Sequence, residues 1–132
     1  MPSAWWNDYV GIPFVKHGRD RSGCDCWGLA RLVALEQSGK ALPSWAGECE
    51  PSDTKDAAGA ISAHLSGFGE VPVHEAREGD MILFTVGGHP CHIGTVTEPG
   101  YMLHIQRGVD ASVESYRKPR WAKRIDGVYR HA

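Results

Sequence analysis

The spacing of apolar residues changes once along this chain, and that change limits what the chain can fold into. Up to about Leu65 the apolar positions recur at helical intervals, and from Val71 onward they alternate as in strands. Helices first and strands afterwards predict an α+β domain with an antiparallel sheet of about five to six strands, not a parallel βαβ array. The 132 residues suffice for a single domain, 1–132, with one core.

Within the helical part, Ser3 is placed to cap a short amphipathic helix to about Val10, with Trp5, Trp6 and Tyr9 on its buried side. Gly11-Ile12-Pro13 ends it, and Phe14 to Gly23 reads as an irregular loop. A second helix is expected from Asp25 or Cys26 to about Ser38. Leu29, Leu32, Val33 and Leu35 supply its apolar side, and Gly39 stands just beyond its end. It is apolar around much of its circumference, so it should be central and buried. A third helix is expected from Ser52 or Asp53 to about Leu65. The strand candidates are Val71–Val73, Asp80–Thr85, His92–Thr97, Tyr101–Ile105, Ser112–Tyr116 and Ile125–Arg130. Gly87-Gly88-His89-Pro90 and Glu98-Pro99-Gly100 are turns.

Chemistry concentrates at Gly23-Cys24-Asp25-Cys26-Trp27-Gly28-Leu29, where the second helix begins. The backbone N–H groups of a first helical turn are unpaired and the helix dipole is positive there, so a thiolate is favoured. Two histidines, His92 and His104, follow far downstream in strand-like segments. A cysteine at a helix start with distant histidines is the raw material of a cysteine hydrolase. The two histidines are 12 residues apart, an even offset that keeps both on one face of a hairpin if no bulge intervenes. Cys26 also has plainer readings, as a buried structural thiol or as part of a zinc site with Cys24, Cys91 and His92. The spacing is poor for zinc, since structural knuckles usually separate their ligands by two or more residues. Cys24 reads as a packing residue, and Cys49, in an acidic loop, as inert.

The four cysteines are irregularly spaced, and a disulfide framework is not expected. The formal net charge of −2 points to no nucleic-acid partner. The stretch Arg107 to Arg130 is locally basic, a pattern that suits either a solvated face or an anionic partner. No apolar run is long enough to span a bilayer. The first residues lack the basic and apolar regions of a signal peptide, so synthesis in the cytosol is expected, with any export by a route the sequence does not show.

Three segments in order resemble the NlpC-type family of papain-like cell-wall peptidases. Tyr9-Val10-Gly11-Ile12-Pro13-Phe14 with Gly23 to Leu29 resembles the family's nucleophile segment, in which an aspartate precedes the cysteine. Glu78 to Phe84 with Cys91-His92-Ile93-Gly94-Thr95-Val96 resembles the strands carrying the base, and Met102-Leu103-His104 the position of the orienting residue. The resemblance implies a papain-like fold with Cys26 as nucleophile, His92 as general base and acid, and His104 orienting His92, with no metal or cofactor. Asp25 would orient local backbone groups. Phe14, and Trp27 unless it belongs to the core, would shape the groove, and His17 would flank it. The family often has a tyrosine 12 residues before the cysteine, near the oxyanion site; Phe14 stands there without a hydroxyl, leaving Tyr9, His17 or another group to supply a donor.

Trp27 after the cysteine, together with Leu42-Pro43-Ser44-Trp45, resembles the branch found in tail proteins of bacteriophages. That branch implies a peptidoglycan stem-peptide endopeptidase cutting near the γ-D-glutamyl–diamino acid bond. It would be made in the host cytoplasm, carried at the tail tip of the virion beside hub or baseplate proteins, and would open the wall during genome delivery. The alternatives are a tail-tip structural protein with weak or no hydrolysis, and an amidase or acyltransferase using the same three residues.

Overall fold

The computed structural model describes residues 4–42 and 68–130. The third helix, the Leu42–Trp45 motif beyond Leu42, Ser3 and Cys49 lie outside the described residues. The fold is α+β and papain-like: one central helix packs on an antiparallel sheet of six strands.

The chain enters through a 3₁₀ turn at Trp5–Asp8, where a longer amphipathic helix was expected. Its N-cap is Ala4, which has no side chain able to satisfy the first N–H groups, and Gly11 then turns the backbone at φ 96°. The expected irregular loop holds a hairpin instead, β1 (Arg19–Asp20) against β2 (Gly23–Cys24). The helix α1 follows at once, Cys26–Ser38, with Asp25 as N-cap and Gly39 as left-handed C-cap. Both boundaries match the expectation because both caps are local chemistry. The Asp25 carboxylate accepts from the Gly28 N–H at 2.7 Å, satisfying one orphan donor of the first turn.

The main sheet contains β3 (Gly69–Val71), β4 (Met81–Val86), β5 (His89–Glu98), β6 (Tyr101–Gln106), β7 (Val109–Ser115) and β8 (Ile125–Arg130). Its spatial order is β3-β8-β4-β5-β6-β7. Val73, expected in a strand, lies in a 3₁₀ turn, Val73–Glu75, and the turn before β5 narrows to Gly87-Gly88. A further short helix, α2 (Pro119–Ala122), opens on the N1 proline that suits a helix start.

Both faces of the sheet are covered, and the strand alternation assigns residues to each. Met81, Leu83, Ile93, Leu103 and Ile105 pack against Trp27, Leu29, Leu32 and Val33 of α1. Ile82, Phe84, Val96, Met102 and Val128 pack on the other side with Tyr116 and Trp121. Trp27 is fully buried in the first of these cores, so the expectation that it shapes a groove is corrected: a large apolar ring at the second position of a central helix is drawn to the sheet.

Candidate active site

Cys26 is the first residue of α1, so it stands at the positive end of the helix dipole. Asp25 holds this corner together. It is fully buried, and its Oδ1 accepts from Gly28 N–H and from Arg19 Nη1, each at 2.7 Å. Gly28 permits that approach, since a Cβ on it would collide with the Gly18 carbonyl oxygen. The hairpin β1–β2 is thereby clamped to the first turn of α1.

His92 and His104 come together through a bulge. Glu98 pairs with Tyr101 at the hairpin turn, and continuing that register would set His104 opposite Thr95, on the other face from His92. The register instead shifts by one residue between Val96 and Glu98, and Val96 pairs with Met102. This shift moves His104 onto the face of His92. The expected condition that no bulge intervenes is therefore reversed: with a two-residue turn, the bulge is what places both histidines on one face. Gly94 lies beside His104, where a Cβ would come within 3.4 Å of the His104 Cβ and 2.9 Å of the Met102 Sδ. Its missing side chain leaves His104 room beside the strand. His92 Nε2 and His104 Nδ1 end 3.0 Å apart.

Sequence reasoning missed two residues of this cluster. Trp121 of α2 stacks on His92, with centroids 5.2 Å apart and planes at 22°, and meets His104 edge-on at 5.1 Å. Glu114 of β7 places its Oε1 2.9 Å from His104 Nε2. The signals available were Pro119 as a helix start and the parity of Glu114 with His104 on neighbouring strands, but only tertiary packing shows that these elements cover the histidines.

Burial dominates the electrostatics. It pushes His92 down to about 3, with His104 and Arg120 adding to the effect, so the ring is neutral at neutral pH. Burial also lowers His104, although Glu114 opposes it. The Cys24 thiol is pushed up to about 11 by burial and by Asp25 and Asp20, and it lies 3.1 Å from the Asp20 carbonyl. Cys24 is thus the unreactive member of the Cys24/Cys26 pair.

Cys26 and His92 line one cleft of about 260 Å³, with Phe14, Asp25, Gln106, Arg107, Trp121 and Arg124 also on its walls. His17 does not line it. It is exposed, at φ 62° in the turn that Gly18 N–H closes onto the Val15 carbonyl, which corrects its expected place beside the groove. Tyr9 does not supply the missing hydroxyl, because it is buried and its OH donates to Glu36 at 2.6 Å. Phe14 does reach the cleft, beneath the Arg107 guanidinium at 5.5 Å. Among the described residues no group of three or more metal-binding side chains converges.

The family model described as NlpC/P60 matches residues 11–130, a span that holds every residue of this site. The chain belongs to the NlpC/P60 family. Protein P54 of Enterococcus faecium is 29% identical over 108 residues, covering 81% of this chain and 18% of that protein. The murein DD-endopeptidase MepS/murein LD-carboxypeptidase of Escherichia coli K12 is 23% identical over 123 residues, covering 93% of this chain and 57% of that enzyme. The chain therefore spans less than two thirds of these relatives' own length. Among solved NlpC/P60 structures, the domain of the peptidoglycan hydrolase SagA aligns with a TM-score of 0.69 at 24% identity, covering 96% of this chain and 91% of that one. A family member from Bacillus cereus aligns at 0.73 and 18% identity, covering 98% and 40%. At these identities the structural likeness supports the fold.

Proposed function

We propose that this NlpC/P60 chain is a cysteine endopeptidase that cuts the stem peptides of peptidoglycan, near the γ-D-glutamyl–diamino acid bond. The observation that carries the reading is the sharing of one cleft by Cys26, at the start of α1, and His92, whose Nε2 is engaged by His104. Relatives named as murein endopeptidase and peptidoglycan hydrolase support the substrate class. So do Arg107 and Arg124 on the cleft walls, which suit a peptide bearing free carboxylates.

In this reaction the Cys26 proton passes to His92 and the sulfur attacks the peptide carbonyl. The tetrahedral oxyanion is met by the Cys26 N–H at the helix start, and Gln106, which lines the same cleft, is our candidate for a second donor. His92 then protonates the departing amine, and water, deprotonated by the same histidine, hydrolyses the thioester. The setting we propose is the tail tip of a phage or phage-like particle, against hub or baseplate proteins. That setting rests on the resemblance carried by Cys26-Trp27 and the Leu42–Trp45 motif.

Digestion of purified sacculi under reducing conditions tests the reading. The expected products carry new amino termini on the diamino acid, read by mass spectrometry. Walls that release no peptide would contradict it.

A further inference from the structure

Glu114 has no part in the chemistry above, yet its carboxylate stands at the end of a line of ring nitrogens. It lies opposite Met102 in the β6–β7 ladder, one diagonal step from His104 on the same face. We propose that Glu114 is a positioning residue that fixes which nitrogens of His104 and His92 carry hydrogen, leaving Nδ1 of His92 bare for the Cys26 proton. The proposal rests on the pairing of Cys26 with His92 described above.

The Glu114 carboxylate can only accept hydrogen bonds. His104 Nε2, 2.9 Å away, must therefore carry a hydrogen and donate. Burial keeps His104 neutral, so its Nδ1 has a lone pair and accepts. His92 Nε2, 3.0 Å from that lone pair, must carry its own hydrogen. A neutral His92 then has its lone pair on Nδ1, the ring nitrogen left for the thiol. The opposite arrangement would set the His104 Nε2 lone pair against the carboxylate. It would also place a hydrogen on His92 Nδ1, where the thiol proton has to go.

When that proton leaves Sγ for Nδ1, the sulfur keeps the electron pair and His92 becomes an imidazolium with hydrogen on both nitrogens. Its Nε2–H still donates to His104, and the Glu114 charge behind His104 stabilises the cation through two hydrogen bonds. No proton moves beyond His92. The groups facing Glu114 favour its ionised form. Burial alone would raise its pKa, but the Trp121 indole N–H (short of full hydrogen-bond geometry), His104 and Arg120 together hold it below the usual range. Arg120 Nη1 at 4.0 Å and Lys118 Nζ at 3.9 Å are both largely exposed, so solvent screens them and the buried His104 contact dominates.

Glu114→Gln tests this, because a carboxamide of the same shape can turn either its oxygen or its NH₂ toward His104 and so permits both arrangements. Two readouts are needed: ring ¹⁵N shifts of His92 and His104, and the rate of iodoacetamide alkylation at Cys26, assigned by fragmentation of its peptide. Wild type should show both histidines protonated at Nε2. Glu114→Gln should show a population of His92 protonated at Nδ1 and an alkylation rate lower by about 5- to 30-fold, the scale of one charge-assisted hydrogen bond. On a cleavable peptide, kcat should fall by a similar factor with KM unchanged. A wild-type His92 protonated at Nδ1, or alkylation of Glu114→Gln within twofold of wild type, would overturn the proposal. Neither readout depends on the substrate. A protein that cuts no peptidoglycan but shows the tautomer change would sink only the proposed function, and one that cuts it with Glu114→Gln unaltered would sink only this inference.

Discussion

Cys26→Ala is expected to abolish peptide release from cell walls while the protein melts within a few degrees of wild type. Cys24, two residues away, is a poor substitute for the nucleophile: it is fully buried, lies against the Asp20 carbonyl, and has its thiol pushed up to about 11. The fold should barely respond, because the substitution removes one sulfur at a position 5% exposed and leaves the Asp25 cap untouched. His92→Gln should lower kcat by about 10²- to 10⁴-fold, the usual contribution of a positioned general base. Kinetics on a defined stem peptide, paired with thermal melts, check both. Substantial activity in a folded Cys26→Ala protein would remove the basis of the proposed mechanism.

The second large effect is on acid stability. His92 is held at about 3 by burial, against an ordinary value near 6.5, and burial lowers His104 as well. Both folded-state values lie below the unfolded ones, so the unfolded chain binds protons that the native protein refuses. Stability is therefore fully present above the unfolded value and is lost as pH falls from about 6.5 toward the folded value, by up to ~1.4 kcal/mol per pH unit for each histidine. Against a typical total of about 5–15 kcal/mol, a fall of two units is severe. Urea midpoints should be flat near neutrality and decline steeply toward about pH 4.5, with a shallower decline in His92→Gln. A midpoint unchanged over that range would show that the histidines are not buried neutral.

The features legible in the sequence were those written in local chemistry. Asp25 caps α1 through its own side chain and Gly39 closes it, so both boundaries could be read from a few residues. The short apolar segments at Met81–Phe84 and Met102–Ile105 were legible as strands, while the face each residue takes emerges only from the packing. What escaped the sequence depends on contacts between distant segments. The expected helix from Ser3 to Val10 shrinks to one 3₁₀ turn, since a segment this short, without a side-chain N-cap at Ala4 and with Gly11 turning the backbone, cannot sustain a helix by itself. The one-residue shift near Thr97 has no composition signal, yet it decides which face His104 takes. Trp121 and Glu114 reach the histidines only because α2 and β7 fold over them. Trp27 looked like a groove residue by its place next to Cys26, but helical geometry turns a neighbouring side chain through roughly 100°, and the sheet takes it.

The central chemical step is a covalent bond between Cys26 and one half of the substrate. During turnover of a stem peptide, quenched in acid, mass spectrometry should find the acyl half as a thioester on the tryptic peptide Ser22–Arg31, with fragmentation placing it on Cys26 and not on Cys24. Hydrolysis that proceeds with no adduct on Cys26, or with the adduct on another residue, would contradict it.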